Sequence, residues 1–146
     1  LESYKLSRAD KALYKDVLTN PQSAEDNSGL KKLVRRMMRS NKTRGAQVDS
    51  VKTFLDANAP NYRHVIVCGD FNETPVSYSY NQLTKNLNDA FAGSGCGLGL
   101  TYSRNGMFLR LDHIMVSDAV KVHDAYVDHS TDASDHYPMC AVIELK

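Results

Sequence analysis

The stretch "VIVCGDFNETP", Val65 to Pro75, holds an aspartate and an asparagine two positions apart, directly after a run of strand formers. If Val65 to Cys68 is a strand buried on both faces, Gly69 lets the chain turn. Asp70 and Asn72 then emerge beyond the strand's carboxyl end, where open α/β sheets tend to place ligands. Their spacing in extended backbone sets both side chains on one side, so a carboxylate and an amide could act together there. Asp and Asn are also ordinary turn formers, and this pair alone decides nothing. Asp112 interrupts the apolar run "LRLDHIMV". A carboxylate in such a strand needs a hydrogen-bonding or charged partner, because leaving it buried and unpaired costs several kcal/mol, roughly. Asp135 and His136 adjoin in "ASDHYP" just before a last apolar run. Neighbours in extended chain point opposite ways, so these two could serve different tasks at one spot.

The elements that must position these groups alternate in type. Leu6, Ala9, Leu13 and Val17 carry helical spacing over Arg8 to Leu18, ended by Asn20-Pro21. After a polar segment, Leu30, Leu33, Val34, Met37 and Met38 recur at helical intervals, with Lys31, Lys32, Arg35, Arg36 and Arg39 on the opposite face. Gln47, Val48, Val51, Phe54 and Leu55 mark a further helix, stopped near Ala59-Pro60. A strand follows at "HVIVC" and a helix over Ser77 to Leu87. "GSGCGLG" reads as a loop; Leu100 stands where the last glycine of a dinucleotide-binding fingerprint would be. "LRLDHIMVS", "VKVHDAYVDH" and "PMCAVIEL" read as three more strands. The order predicts a layered α/β arrangement.

Taken in order, "GDFNETP", "RLDHIMVS" and "SDHYP" resemble the endonuclease/exonuclease/phosphatase superfamily with its DNase I-like fold. "RGAQVDSVKTFLD" is similar to the helix that precedes the family's Gly-Asp-Phe-Asn strand, and Leu1-Glu2-Ser3 to the tail of its His-Leu-x-Ser strand. The resemblance implies that Asp70 positions or deprotonates an attacking water and that Asn72 binds the phosphate. It implies that Asp112 pairs with His136, and that Asp135 helps hold a divalent ion, Mg²⁺ or Mn²⁺. Phosphoryl transfer needs positioning and charge neutralisation more than covalent help, so this grouping suits a hydrolase of phosphoester bonds. Nucleic acid, a phospholipid head group or a sugar phosphate would all suit it as substrate. Arg104 and Arg110 precede the Asp112 strand and could meet a phosphate. The competing expectation is a binding or regulatory module that keeps the fold without catalysis. A serine hydrolase built on Ser134 and His136 lacks the Gly-x-Ser-x-Gly elbow.

The resemblance also implies a domain of about twice this length, four-layered, with two sheets face to face and helices outside. The 146 residues then correspond to its carboxyl-terminal half, one partial domain, a mostly antiparallel or mixed sheet with helices on one face. The family's metal-binding glutamate would lie upstream, and the chain alone is expected to be inactive or nearly so. A sheet face carrying Val65, Val67, Ile114 and Val116 is expected to need a cover, either the other half of the domain or a second copy. The segment at about 20–43 reads as a basic helical insertion: seven Lys or Arg and no acid separate Asp26 from Asp49, although the formal net charge is +1. Such a face could attract a polyanion or an anionic surface. Cys68, Cys96 and Cys140 are odd in number and far apart, with neither a disulfide framework nor zinc-ribbon spacing.

Overall fold

A computed structural model describes residues 1–4, 6–19, 28–104, 107–131 and 133–146, without the side chains of residues 17, 18, 28, 30, 33 and 104. Helix α1 (Arg8–Thr19) starts where Ser7 and Asp10 exchange hydrogen bonds: Ser7 N donates to Asp10 Oδ2 at 2.8 Å and Asp10 N to Ser7 Oγ at 3.1 Å. This is a capping box with Asp as the acid. Helix α2 (Ser28–Asn58) is continuous where the sequence suggested two helices, and a 3₁₀ turn at Ala59–Asn61 ends it beside Pro60. No proline interrupts residues 28–58, so the two periodic stretches join.

Strand β1 (Ile66–Asp70) pairs antiparallel with β5 (Asp112–Val116), and the two-residue β2 (Asn88–Asp89) lies on the other side of β5. Strands β3 (Tyr102–Arg104) and β4 (Met107–Leu109) form a hairpin, and β6 (Val120–Val127) with β7 (Met139–Leu145) a longer one. Gly69 lies within β1 and is not the turn that ends it. Short helices α3 (Tyr78–Leu83) and α4 (Ala90–Ser94) are capped by Ser77 and Asp89. No helix among the described residues is long and apolar enough to cross a membrane. The result is a layered α/β fold with antiparallel sheets.

The β1–β5 register decides what each face does. Val67 opposite Met115 turns toward α2, where Val48, Phe71, Leu83, Leu87 and Met115 form the main core and Val51, Leu55, Val65 and Val67 pack on it. Ile66 opposite Val116, Cys68 opposite Ile114 and Asp70 opposite Asp112 take the other face. The expected uncovered face is therefore corrected: Val65 and Val67 lie against the helix layer, Ile114 packs on the second cluster of Ala90, Phe91 and Ala125, and Val116 is buried. Ile66, Cys68 and Gly69 are the exposed positions of that pair of strands, while Tyr126 and Val142 are exposed on β6 and β7.

The glycine-rich segment serves α4. A Cβ at Gly95 or Gly99 would stand 2.6 Å from the Phe91 ring, and Gly99 adopts a φ of 62°. Only glycine satisfies both the approach and the backbone at residue 99, so the run wraps an aromatic ring.

Candidate active site

Asp70 and Asp112 are directly opposite each other where the β1–β5 ladder ends. Like charges opposed across a ladder repel, and the surroundings answer that cost. Asp70 accepts two hydrogen bonds from one residue, from Asn72 N and from Asn72 Nδ2, both at 2.7 Å. Asn72 reaches this posture with a φ of 50°, a left-handed conformation that asparagine tolerates better than most residues. Its side chain is thereby fixed on the carboxylate it neighbours, and it also donates to the Leu1 carbonyl at 3.1 Å.

Asp112 finds its partner in His136, whose Nδ1 lies 2.7 Å from Asp112 Oδ2. The histidine arrives from the loop before β7. Its backbone bridges to Tyr102, and the Tyr102 ring meets the imidazole edge-on at 5.1 Å between centroids. Thr101, fully buried, accepts from Leu111 N at 3.0 Å and Asp112 N at 3.1 Å, while its carbonyl accepts from Tyr137 N at 2.7 Å. One residue thus ties the Asp112 strand to the His136 loop. Sequence reasoning missed it, since a lone threonine carries no signal.

Asp70, Asp112 and His136 offer ligand atoms that all lie within 4.8 Å of one another. Two adjacent carboxylates supply the oxygen donors that a hard divalent cation takes, and a cation would relieve their repulsion. The donor set fits such an ion, with His136 held by Asp112 as its neighbour. Asp135 is exposed and stands outside that trio, but shares a cleft of about 380 Å³ with Asn72, His136, Tyr102 and Lys11.

The two arginines expected near a phosphate differ. The Arg104 side chain lies outside the described residues. Arg110 is buried beneath the site, 3.1 Å from Asp89 Oδ2, with its guanidinium over the Phe91 ring. It does not line the cleft, and its charge is answered by Asp89. Burial by itself would raise the Asp89 carboxyl; the adjacent His113 imidazole, the Ala92 N–H, Arg110 and the Tyr80 hydroxyl outweigh it and hold the group down at about 2. His113, read from sequence as a packing residue, is fully buried against Phe71 and Tyr80. Its Nε2 lies 2.9 Å from the Glu73 carbonyl, and its Nδ1 lies 3.6 Å from Asp89, too far for a hydrogen bond.

A second buried pair supports the Asn72 loop from the other side. Arg44, with no exposed surface, donates from Nε to Glu73 Oε1 at 2.7 Å and from Nη1 to the Glu2 carbonyl at 3.1 Å; it also bonds Asn41. Arg44 precedes Val48 by four residues, so it shares the apolar stripe of α2. That was the available sign of its burial.

Comparison with known proteins now adds to this geometry. Residues 24–136 match the model of the endonuclease/exonuclease/phosphatase family. No curated protein matches the chain. Among solved structures, an endonuclease/exonuclease/phosphatase from Bacteroides vulgatus is similar at 24% identity and a TM-score of 0.62, over 73% of this chain and 45% of that one. A conserved protein of unknown function from Enterococcus faecalis is similar at 20% identity and a TM-score of 0.59, over 73% of this chain and 46% of that one. A mannosyl-6-phosphatase from Bacteroides thetaiotaomicron is similar at 23% identity and a TM-score of 0.54, over 71% of this chain and 46% of that one. These likenesses establish the fold, and the alignments span less than half the length of each of those structures.

Proposed function

The chain belongs to the endonuclease/exonuclease/phosphatase family, and from that membership we propose that it forms the carboxyl-terminal part of a Mg²⁺-dependent phosphoester hydrolase site. The observation that carries the reading is the meeting of two preassembled units, Asp70 with Asn72 and Asp112 with His136, at the end of one strand pair. Four polar groups from three segments converge at one strand end, which supports reading the spot as a working site.

In this reading Asp70, fixed by both Asn72 donors, orients the attacking water and draws its proton. The Asn72 amide, once its bond to Asp70 is shared, contributes a donor toward the phosphate. In its doubly protonated form His136 donates from Nδ1 to Asp112 and from Nε2 toward a nonbridging phosphate oxygen, and the Asp112 carboxylate sets the ring orientation that allows it. Asp70, Asp112 and the nearby Asp135 would hold the cation. When bound, Mg²⁺ neutralises charge that develops on the phosphoryl oxygens. The buried pairs Arg44–Glu73 and Arg110–Asp89 position the loop and strand that present these groups.

The substrate is a phosphate ester, and the phosphatase named among the similar structures supports including sugar phosphates beside phosphodiesters. Activity is expected to need the other half of the domain. The test is a panel of mono- and diesters with Mg²⁺, assayed with the chain alone and after extension with its upstream sequence. Hydrolysis by the extended protein that disappears in Asp70→Asn and His136→Ala supports the reading, and undiminished hydrolysis in both variants overturns it.

A further inference from the structure

Helix α1 brings a row of cations to the rim of the cleft. Lys11 lines that cleft together with Asn72, Asp135 and His136, and its Nζ donates to the Tyr102 hydroxyl at 3.2 Å. The same Tyr102 ring meets His136, so the ammonium stands one aromatic side chain from the imidazole. Lys11 also lines an adjoining groove of about 460 Å³ with Arg8 and Lys15, its neighbours at i−3 and i+4 on one helix face. Among the described residues no carboxylate pairs with Arg8, Lys11 or Lys15, whereas Asp10 on the same helix is engaged by Arg36 and Ser7. Lys11 is partly buried and held over the Tyr102 ring, which takes up side-chain freedom that a merely solvated lysine would keep. An ammonium has three donors, and Tyr102 accepts one.

We propose that Arg8, Lys11 and Lys15 form a second phosphate subsite, so that the preferred substrate carries another phosphate beside the ester that is cut. This rests on the phosphoester reading of Asp70, Asn72, Asp112 and His136. Lys11, shared by both spaces, faces the boundary between the two groups, and Arg8 and Lys15 take the outer one. Ammonium and guanidinium groups suit phosphate oxygens through charge-assisted hydrogen bonds. The second phosphate could belong to a doubly phosphorylated sugar or to the next link of a nucleic-acid strand; the subsite chemistry is the same for both.

The experiment is calorimetric titration of the chain in Mg²⁺ with glucose 6-phosphate, glucose 1,6-bisphosphate, thymidine 5′-phosphate and 5′-phosphorylated dithymidine. At least one doubly phosphorylated probe should bind about tenfold or more tightly than its singly phosphorylated counterpart, as one good charged hydrogen bond would give. The pair that shows the preference identifies the source. The preference should shrink severalfold in Arg8→Gln/Lys15→Gln, persist in Lys85→Gln outside both spaces, and fall as salt is raised in the unaltered chain. Glutamine keeps the helix, and circular dichroism checks that it does. Singly phosphorylated probes that bind with no preference for the second phosphate overturn the subsite and leave the phosphoester reading standing. Failure of every probe to bind, both to the chain alone and after its extension with the upstream sequence, removes both.

Discussion

Asp112 and His136 are bonded at 2.7 Å, yet their side chains keep 21% and 25% of their exposure. A part-exposed pair of this kind adds little to folding, so its worth is in orientation. Asp112→Asn should change stability by less than about 1 kcal/mol while lowering hydrolysis by the extended protein roughly 100-fold; denaturant melts and steady-state rates measure both. Asp89 behaves in the opposite way. Removing its charge leaves Arg110 buried and unanswered, and Asp89→Asn should cost about 3–5 kcal/mol. Its folded carboxyl lies at about 2, below its ordinary 3.8. The stabilisation is therefore complete above pH 4 and lost as pH falls from 4 toward 2. Acid melts of the unaltered chain should steepen in that window, and those of Asp89→Asn should not. Asp70, Asn72, Asp112 and His136 were legible in the sequence because three ordered motifs marked them. Thr101, Glu73 and Asp89 were not, since their roles come from burial and distant hydrogen bonds that no local pattern announces.

At the scale of elements, the periodic segments were readable and the short ones were not. Helix α1 and strands β5 to β7 follow apolar spacing, whereas α4, β2 and the β3–β4 hairpin are two to five residues long and hold their shape through tertiary contacts. The apolar residues of α2 fare differently along its length: Val48 in the second half is fully buried, while Val34 and Met38 in the first half remain exposed beside the basic face. Lys31, Lys32, Arg35 and Arg39 on that half are exposed, and we propose that they meet an anionic surface. Reversing Lys31, Lys32 and Arg35 to Glu should weaken binding to anionic vesicles severalfold, read by sedimentation, and unchanged binding would remove this role. The wrap of Gly95 and Gly99 around Phe91 predicts a second outcome. Gly99→Ala forces either a strained left-handed alanine or a shifted ring, and should lower the unfolding free energy by about 1–3 kcal/mol.

For the whole molecule, β1 is an edge strand among the described residues, and its outer side accepts a bond from the Leu1 amino group at the Asp70 carbonyl, 2.7 Å away. Phe54, Tyr62 and Ile66 stand exposed along the groove beside it. An open edge next to apolar surface invites another strand. We propose that the other half of the domain covers it, or a second copy when that half is missing. Light scattering should find the isolated chain associating as its concentration rises; a stable, well-folded monomer at high concentration would contradict this. The central claim, that Asp70 and Asp112 gather a cation beside Asn72 and His136, has a direct test in Mn²⁺ titration of the ¹⁵N-labelled chain followed by nuclear magnetic resonance. The account predicts that the amide signals of Asp70 to Asn72, Asp112 and His136 broaden first, and that Asp70→Asn abolishes this. Broadening that begins at Asp124 or Glu144 instead, and persists unchanged in Asp70→Asn, would contradict it.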